Sequence, residues 1–226
     1  MQEEKCLSSC WQRGLGEGVG CDSAIFAHSV RWFDRGKTLY ISYWDAGTLR
    51  MRVDAGSGRM TVVRRTLITP RDEEGNNHSM TLADNGRLLL INPEDFDALP
   101  CGEGETGWGQ LEIYANNASH PEYLATFGTP NSKSGRGDGF YAIHNSEVVD
   151  RDQVFAAWYS DGVRWIDLSD PEDPKQKGYF VPPPAARSLG DVPSGAAFVW
   201  GVWPHRGLVL ASDITSGLWI LRPVTS

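Results

Sequence analysis

Long hydrophobic stretches are missing from this chain: none of its 226 residues sits in an unbroken apolar run of 18, so no membrane-spanning helix is expected. Basic clusters are missing too. The densest is "VVRRTL" at 62–67, against a net charge of −8, which excludes a phosphate-binding face and hence nucleic acid. Helical periodicity is nearly absent, and only "PEDFDAL", opened by Pro93 and Glu94, predicts a single helical turn. There is no G-x-S-x-G elbow. The glycine-rich "GEGVG" and "GRGDG" do not stand between a strand and a helix, so no phosphate cradle or organic cofactor site is expected. The start, "MQEEKCLSSC", has no apolar core and does not read as a secretory signal.

Cysteine is scarce and unevenly placed. Cys6, Cys10 and Cys21 crowd the first 21 residues and Cys101 stands alone. Their spacing fits no zinc framework. Two readings stay open: a disulfide near the N-terminus, which would imply an extracytoplasmic, oxidising compartment, or free thiols in a leader over residues 1–22. Asn77-His-Ser79 and Asn117-Ala-Ser119 match the glycosylation tripeptide, a pattern that arises often by chance.

Tryptophan, by contrast, is abundant. Nine Trp within a composition that is 40% hydrophobic and 22% charged point to a β-rich protein with broad aromatic packing. Aligning the chain with itself reveals why. "AHSVRW", "NHSMTL" and "IHNSEVV" fall in register on His28, His78 and His144, and "VWGVWP" on Trp200 fills a fourth slot. Each unit continues into a second apolar run, starting at Thr38, Arg87, Gln153 and Gly207, and then a glycine-led third run at Gly47, Gly109, Gly162 and Gly217. Three units add a fourth run: "MTVVRRTLI", "PEYLATFG" and "QKGYFVPP". The connections carry turn residues, with "DNGR" the clearest hairpin because Asn-Gly tolerates positive φ.

Units of this length, each a four-stranded antiparallel meander, predict an all-β β-propeller. One such sheet has two apolar faces and covers neither alone, whereas radial stacking covers both. The expected blades run over about 23–70, 75–130, 139–184 and 195–226, with three to four strands each and "EDFDALPCGEGETGW" protruding from the second. The last unit lacks its outer strand, so either the N-terminal segment 1–22 clasps the ring as that strand, or the ring is incomplete or shared and closed by a homodimer.

The third unit closes with "WYSDGVRWIDLSDPEDPKQKGYF", and this stretch resembles the LVIVD-repeat family of β-propellers, with its strand, "DG", strand and Asp-Pro turn. The other units match with decay, so the resemblance covers roughly 24–223. It implies a propeller fold and no particular reaction. The selenium-binding, methanethiol-oxidase-type propellers are more distantly similar. In the Asp-Pro turn, Pro171 and Pro174 fix φ, and Asp167 and Asp170 are placed to accept backbone N–H groups.

The functional expectation follows from the repeat. The first strand of a blade lines the central channel, so His28, His78 and His144 converge from three blades on one mouth, with Glu147 three residues beyond the last. Three imidazoles and a carboxylate suit a divalent transition metal. The structural alternative is that each His, followed by Ser or Asn, ties adjacent blades to one another. Further acids follow the second strands: Asp45, Glu94, Asp95, Asp161 and Asp213. Most tryptophans are expected between blades, with Trp44 and Trp158 as candidates to line a pocket. Three functions follow: a binding or scaffold module with a small-ligand or metal site at the channel mouth; a metal-dependent oxidoreductase or hydrolase built on the same histidines; or a protein-interaction platform using the acidic loop 94–108.

Overall fold

The computed structural model describes residues 26–66, 76–96, 108–117, 120–134, 136–183 and 195–224. The four cysteines, the leader and most of the acidic loop lie outside these residues, as does the end of the expected helical turn. Among the described residues, fifteen strands form four antiparallel sheets. Blade 1 is β1(Ala27–Phe33), β2(Thr38–Tyr43), β3(Gly47–Val53) and β4(Met60–Thr66). Blade 2 is β5(Asn77–Ala83), β6(Leu88–Pro93), β7(Leu111–Ala115) and β8(Glu122–Phe127). Blade 3 is β9(Ser146–Asp150), β10(Gln153–Ala157), β11(Val163–Asp167) and β12(Lys175–Phe180). Among the described residues, blade 4 has three strands, β13(Val199–His205), β14(Leu208–Asp213) and β15(Gly217–Leu221). Every sheet is a simple meander. The fold is an all-β, four-bladed β-propeller, and no helix is long and apolar enough to cross a membrane among the described residues.

Alternation within the second strands shows how the blades stack. Leu88 and Leu90 of β6 face one way, packing with Ile143, Val154, Ala156 and Trp158 of blade 3. Leu89 and Ile91 face the other way, against Tyr40 of blade 1. In β10, Val154 and Ala156 join blade 2, while Phe155 and Ala157 join Val199, Val202, Val209 and Ala211 of blade 4. A period of two residues thus splits each strand between two seams. Strands buried on both faces read as continuous apolar runs, which is why "RLLLIN" and "QVFAAW" show no polar face. Blades 1 and 4 have exposed apolar side chains, Val30 and Trp32 on β1 and Trp203, Leu218 and Ile220 on β13 and β15.

The turns repeat as the strands do. Asp84, Asn85 and Gly86 all have positive φ, at 45°, 54° and 84°, and Asp34, Arg35 and Gly36 adopt the same conformation at 51°, 55° and 85°. The Asp-Pro turn also behaves as expected: Ser169 N donates to Asp167 Oδ1 at 2.9 Å and Glu172 N to Asp170 Oδ1 at 3.2 Å. Asn77 is fully buried and its Nδ2 donates to Thr48 Oγ1, so in this fold it is no glycosylation acceptor.

Candidate metal centre

The three histidines stand in a row. His28 lies near the start of β1, His78 at the same register of β5, and His144 just ahead of β9. Ring centroids are 4.2 Å apart from His28 to His78 and 4.1 Å from His78 to His144. Each ring reaches the backbone of the next blade. His28 Nδ1 is 3.2 Å from the His78 carbonyl and His78 Nδ1 is 3.0 Å from the His144 carbonyl, while the Trp200 backbone acts on the His144 imidazole by opposing the fall in its pKa. Asn145 Nδ2 also lies 2.8 Å from His144 Nδ1. The repeat therefore runs through all four slots, and Trp200 closes it with its ring edge-on to His144 at 5.2 Å.

An Nδ1 that donates to a carbonyl leaves Nε2 as the nitrogen with the available lone pair. That applies to His28 and His78, and the Nε2 atoms of His78 and His144 face one carboxylate. Glu94 follows β6 and is buried, with Oε2 3.6 Å from His78 Nε2 and Oε1 3.5 Å from His144 Nε2. His28, His78 and Glu94 each present a ligand atom, all within 4.8 Å of one another. Donors at about 2.1 Å from a shared tetrahedral ion stand roughly 3–3.5 Å apart, so small side-chain rotations would complete such a set. The Tyr159 hydroxyl donates to Glu94 Oε1 and fixes the carboxylate from behind.

Burial sets the charge state. Desolvation pushes the His78 pKa down to about 3, assisted by the neighbouring imidazoles, and the His144 pKa down to about 4 against the opposing pull of its backbone hydrogen bond. Desolvation raises Glu94 to about 7, opposed by the Tyr159 hydroxyl. Tyr159 itself is pushed well above its ordinary value by burial and by Glu94. At neutral pH the His78 and His144 imidazoles are neutral, the form in which imidazole binds metals.

Glu147 is not brought to this cluster. It sits on β9 and takes a two-pronged ion pair from Arg31 of blade 1, whose Nη1 also reaches Thr81 Oγ1 at 3.3 Å. The carboxylate facing the histidines is Glu94, one of five acids that sequence spacing left equivalent. The other assignable ones do structural work. Asp45 Oδ1 accepts from Asn76 N, Asp161 accepts from Thr129 and Asn131 and pairs with Arg164, and Asp213 accepts from Phe198 N and Thr215 N. Trp158 is wholly buried, donating to the Tyr141 carbonyl. Trp44 does stand at the site, stacked on Phe26 at 5.2 Å and 5.3 Å from His28. Tyr159, which no repeat position singled out, has φ +34°, a conformation that costs an aromatic residue energy and marks sites held by their surroundings.

Comparison with known proteins extends the fold assignment and little else. No family model matches the chain and no curated protein resembles it in sequence. Solved structures do. A candidate 6-phosphogluconolactonase from Bacteroides uniformis matches with TM-score 0.55 and 13% identity over 91% of this chain and 57% of its own. The Swd1 β-propeller domain from Myceliophteria thermophila matches with TM-score 0.58 and 12% identity over 88% and 55%. The periplasmic gluconolactonase of Pseudomonas aeruginosa matches with TM-score 0.51 and 12% identity over 89% and 53%. The chain thus spans little more than half the length of these propellers.

Proposed function

We propose that this chain is an LVIVD-type propeller module that holds a divalent transition metal at one mouth of its channel. His28, His78 and Glu94 would supply the ligands, with His144 beside them. The observation that carries this reading is the orientation of the row. Backbone carbonyls lie at Nδ1 of His28 and His78, which leaves their Nε2 atoms for ligation, and the Nε2 atoms of His78 and His144 both face the buried Glu94 carboxylate. The same bonds serve the structural alternative, since they also tie blade to blade. A purely structural tie, however, needs no buried glutamate facing two imidazoles across 3.5–3.6 Å. A bound ion would polarise an oxygen ligand at an open position or activate water there.

Hydrolysis is the second reading, favoured by gluconolactonases among the structural neighbours. A phosphorylated substrate fits poorly. Arg31, the cation that follows His28 on β1, is engaged by Glu147, and the chain is net negative. The exposed apolar side chains of blades 1 and 4 support pairing of two copies, a reading that a solution mass of one chain would remove.

The test is metal analysis of untagged protein. A stoichiometric first-row metal is expected, with affinity falling at least about 10–100-fold in Glu94→Gln, the loss that follows even from removing a group that only orients a ligand. That variant keeps the shape of the side chain and the blade-to-blade bonds, so unchanged circular dichroism separates lost ligation from lost fold. Wild-type protein that binds no zinc, cobalt or copper after dialysis against each would end the proposal.

A further inference from the structure

Resting on the metal reading, the structure assigns a ligand class to this site: an aromatic molecule with one anionic oxygen donor, a carboxylate or phenolate. The row of imidazoles is flanked by rings that the ligating set does not use. At the blade 1 end, Trp44 lies 5.3 Å from His28 and 6.4 Å from His78, with Phe26 stacked on it at an interplanar angle of 18°. At the other end, Trp200 meets His144 edge-on. Two residues beyond Glu94, Phe96 packs 5.4 Å from Tyr159 and 5.8 Å from Phe140. These rings are not core. Phe26, Phe96 and Trp200 are exposed by 42%, 40% and 48%, beside His78, Glu94 and His144, which are exposed by at most 7%. Large apolar rings left half-wet around buried polar donors form a ligand pocket's usual composition: apolar walls and a few convergent polar groups.

The polar groups present decide between ring types. A hydroxylated sugar ring needs a partner for each hydroxyl. Here the Nδ1 atoms of His28 and His78 are spent on carbonyls, and Asp213 and Asp45 are spent on backbone N–H groups. Among the described residues, what remains at the centre is a ligating set that accepts one oxygen. An aromatic ring lies flat or edge-on against Trp200 and Phe96 and asks for nothing more.

The probes are benzoate, acetate and gluconate, which offer one carboxylate on an aromatic ring, a methyl group and a hydroxylated chain. Untagged protein loaded with Co2+ reports ligation by its visible absorption. Benzoate is expected to bind about tenfold more tightly than acetate, as one favourable aromatic contact gives, and gluconate no more tightly than acetate. Trp200→Ala and Phe96→Ala should bring benzoate to within about twofold of acetate while Co2+ stoichiometry stays at one. Both side chains are half exposed, so their loss leaves the core intact. Equal affinity for benzoate and acetate on cobalt-loaded protein overturns this inference alone, and so does tighter binding of gluconate. Failure to bind Co2+ overturns the metal reading and this inference with it.

Discussion

The buried centre should make the metal-free protein sensitive to acid, and Glu94 should blunt that sensitivity. The unfolded chain binds protons on His78 and His144 at the ordinary value of 6.5, while the folded chain holds them near 3 and 4. Their contribution to stability is present above pH 6.5 and is lost as pH falls. At about 1.4 kcal/mol per unit, lowering the pH from 6.5 to 4.5 costs about 2 kcal/mol for each histidine, or about 4–5 kcal/mol together. Glu94 acts oppositely. Its folded pKa of about 7 exceeds the ordinary 4.5, so its contribution is present at low pH and is lost as pH rises through 7. Over the same interval acidification returns about 2 kcal/mol. Wild-type protein should therefore lose about 2–3 kcal/mol between pH 6.5 and 4.5, and Glu94→Gln about 4–5 kcal/mol.

Urea unfolding followed by tryptophan fluorescence, in chelator and at fixed ionic strength, measures both curves. The difference between the two proteins is the informative quantity, since surface carboxylates contribute equally to each. Parallel curves would mean that Glu94 carries no extra proton in the folded state and that its environment is far wetter than its burial implies. Added Zn2+ should reverse the balance, because ligation needs the ionised carboxylate; metal affinity should rise with pH through about 7.

Three further outcomes test separate parts of the fold. Glu147→Gln should cost about 1–3 kcal/mol by stripping half-buried Arg31 of its partner, measured by thermal melts, while metal content stays unchanged; loss of metal would restore Glu147 as a ligand. Arg35→Asn should stabilise by about 0.5–1 kcal/mol, because Arg35 sits at φ +55°, where asparagine is tolerated better; a lower melting temperature would contradict this. Gly162→Ala should cost more than about 2 kcal/mol, since φ there is +75° and a Cβ would lie 2.2 Å from the Phe180 carbonyl oxygen; a melting temperature within a degree or two of wild type would show that the β11–β12 seam is misplaced.

The architecture was legible because every blade solves the same burial problem with the same local devices. The second and third apolar runs of all four units became strands, and the turn "DRGK" adopted the conformation of "DNGR" although arginine has no preference for it. That transfer of conformation from a favourable sequence to an unfavourable one is what repeat packing imposes. The histidine row was legible for the same reason, since equal register puts equal residues at equal height. What spacing left hidden was direction. Asp45, Glu94, Asp161 and Asp213 occupy related positions after second strands, and only their partners separate them: Asn76 N, Thr129 and Arg164, and Phe198 N draw the three aspartates into turns and seams. Glu94 has one more methylene and a tyrosine hydroxyl behind it, and it reaches the imidazoles. Glu147 stands apart from the histidines because its relation to His144 is not confined to one blade. Arg31, Thr81 and Glu147 each lie three residues beyond a row histidine, so the repeat places a cation, a hydroxyl and an anion at one height on consecutive blades. Opposite charges brought to the same layer of a low-dielectric wall find each other. The same self-alignment that collects the histidines therefore predicts the Arg31–Glu147 pair, provided that every offset is compared across blades and not only the one that holds an evident metal ligand.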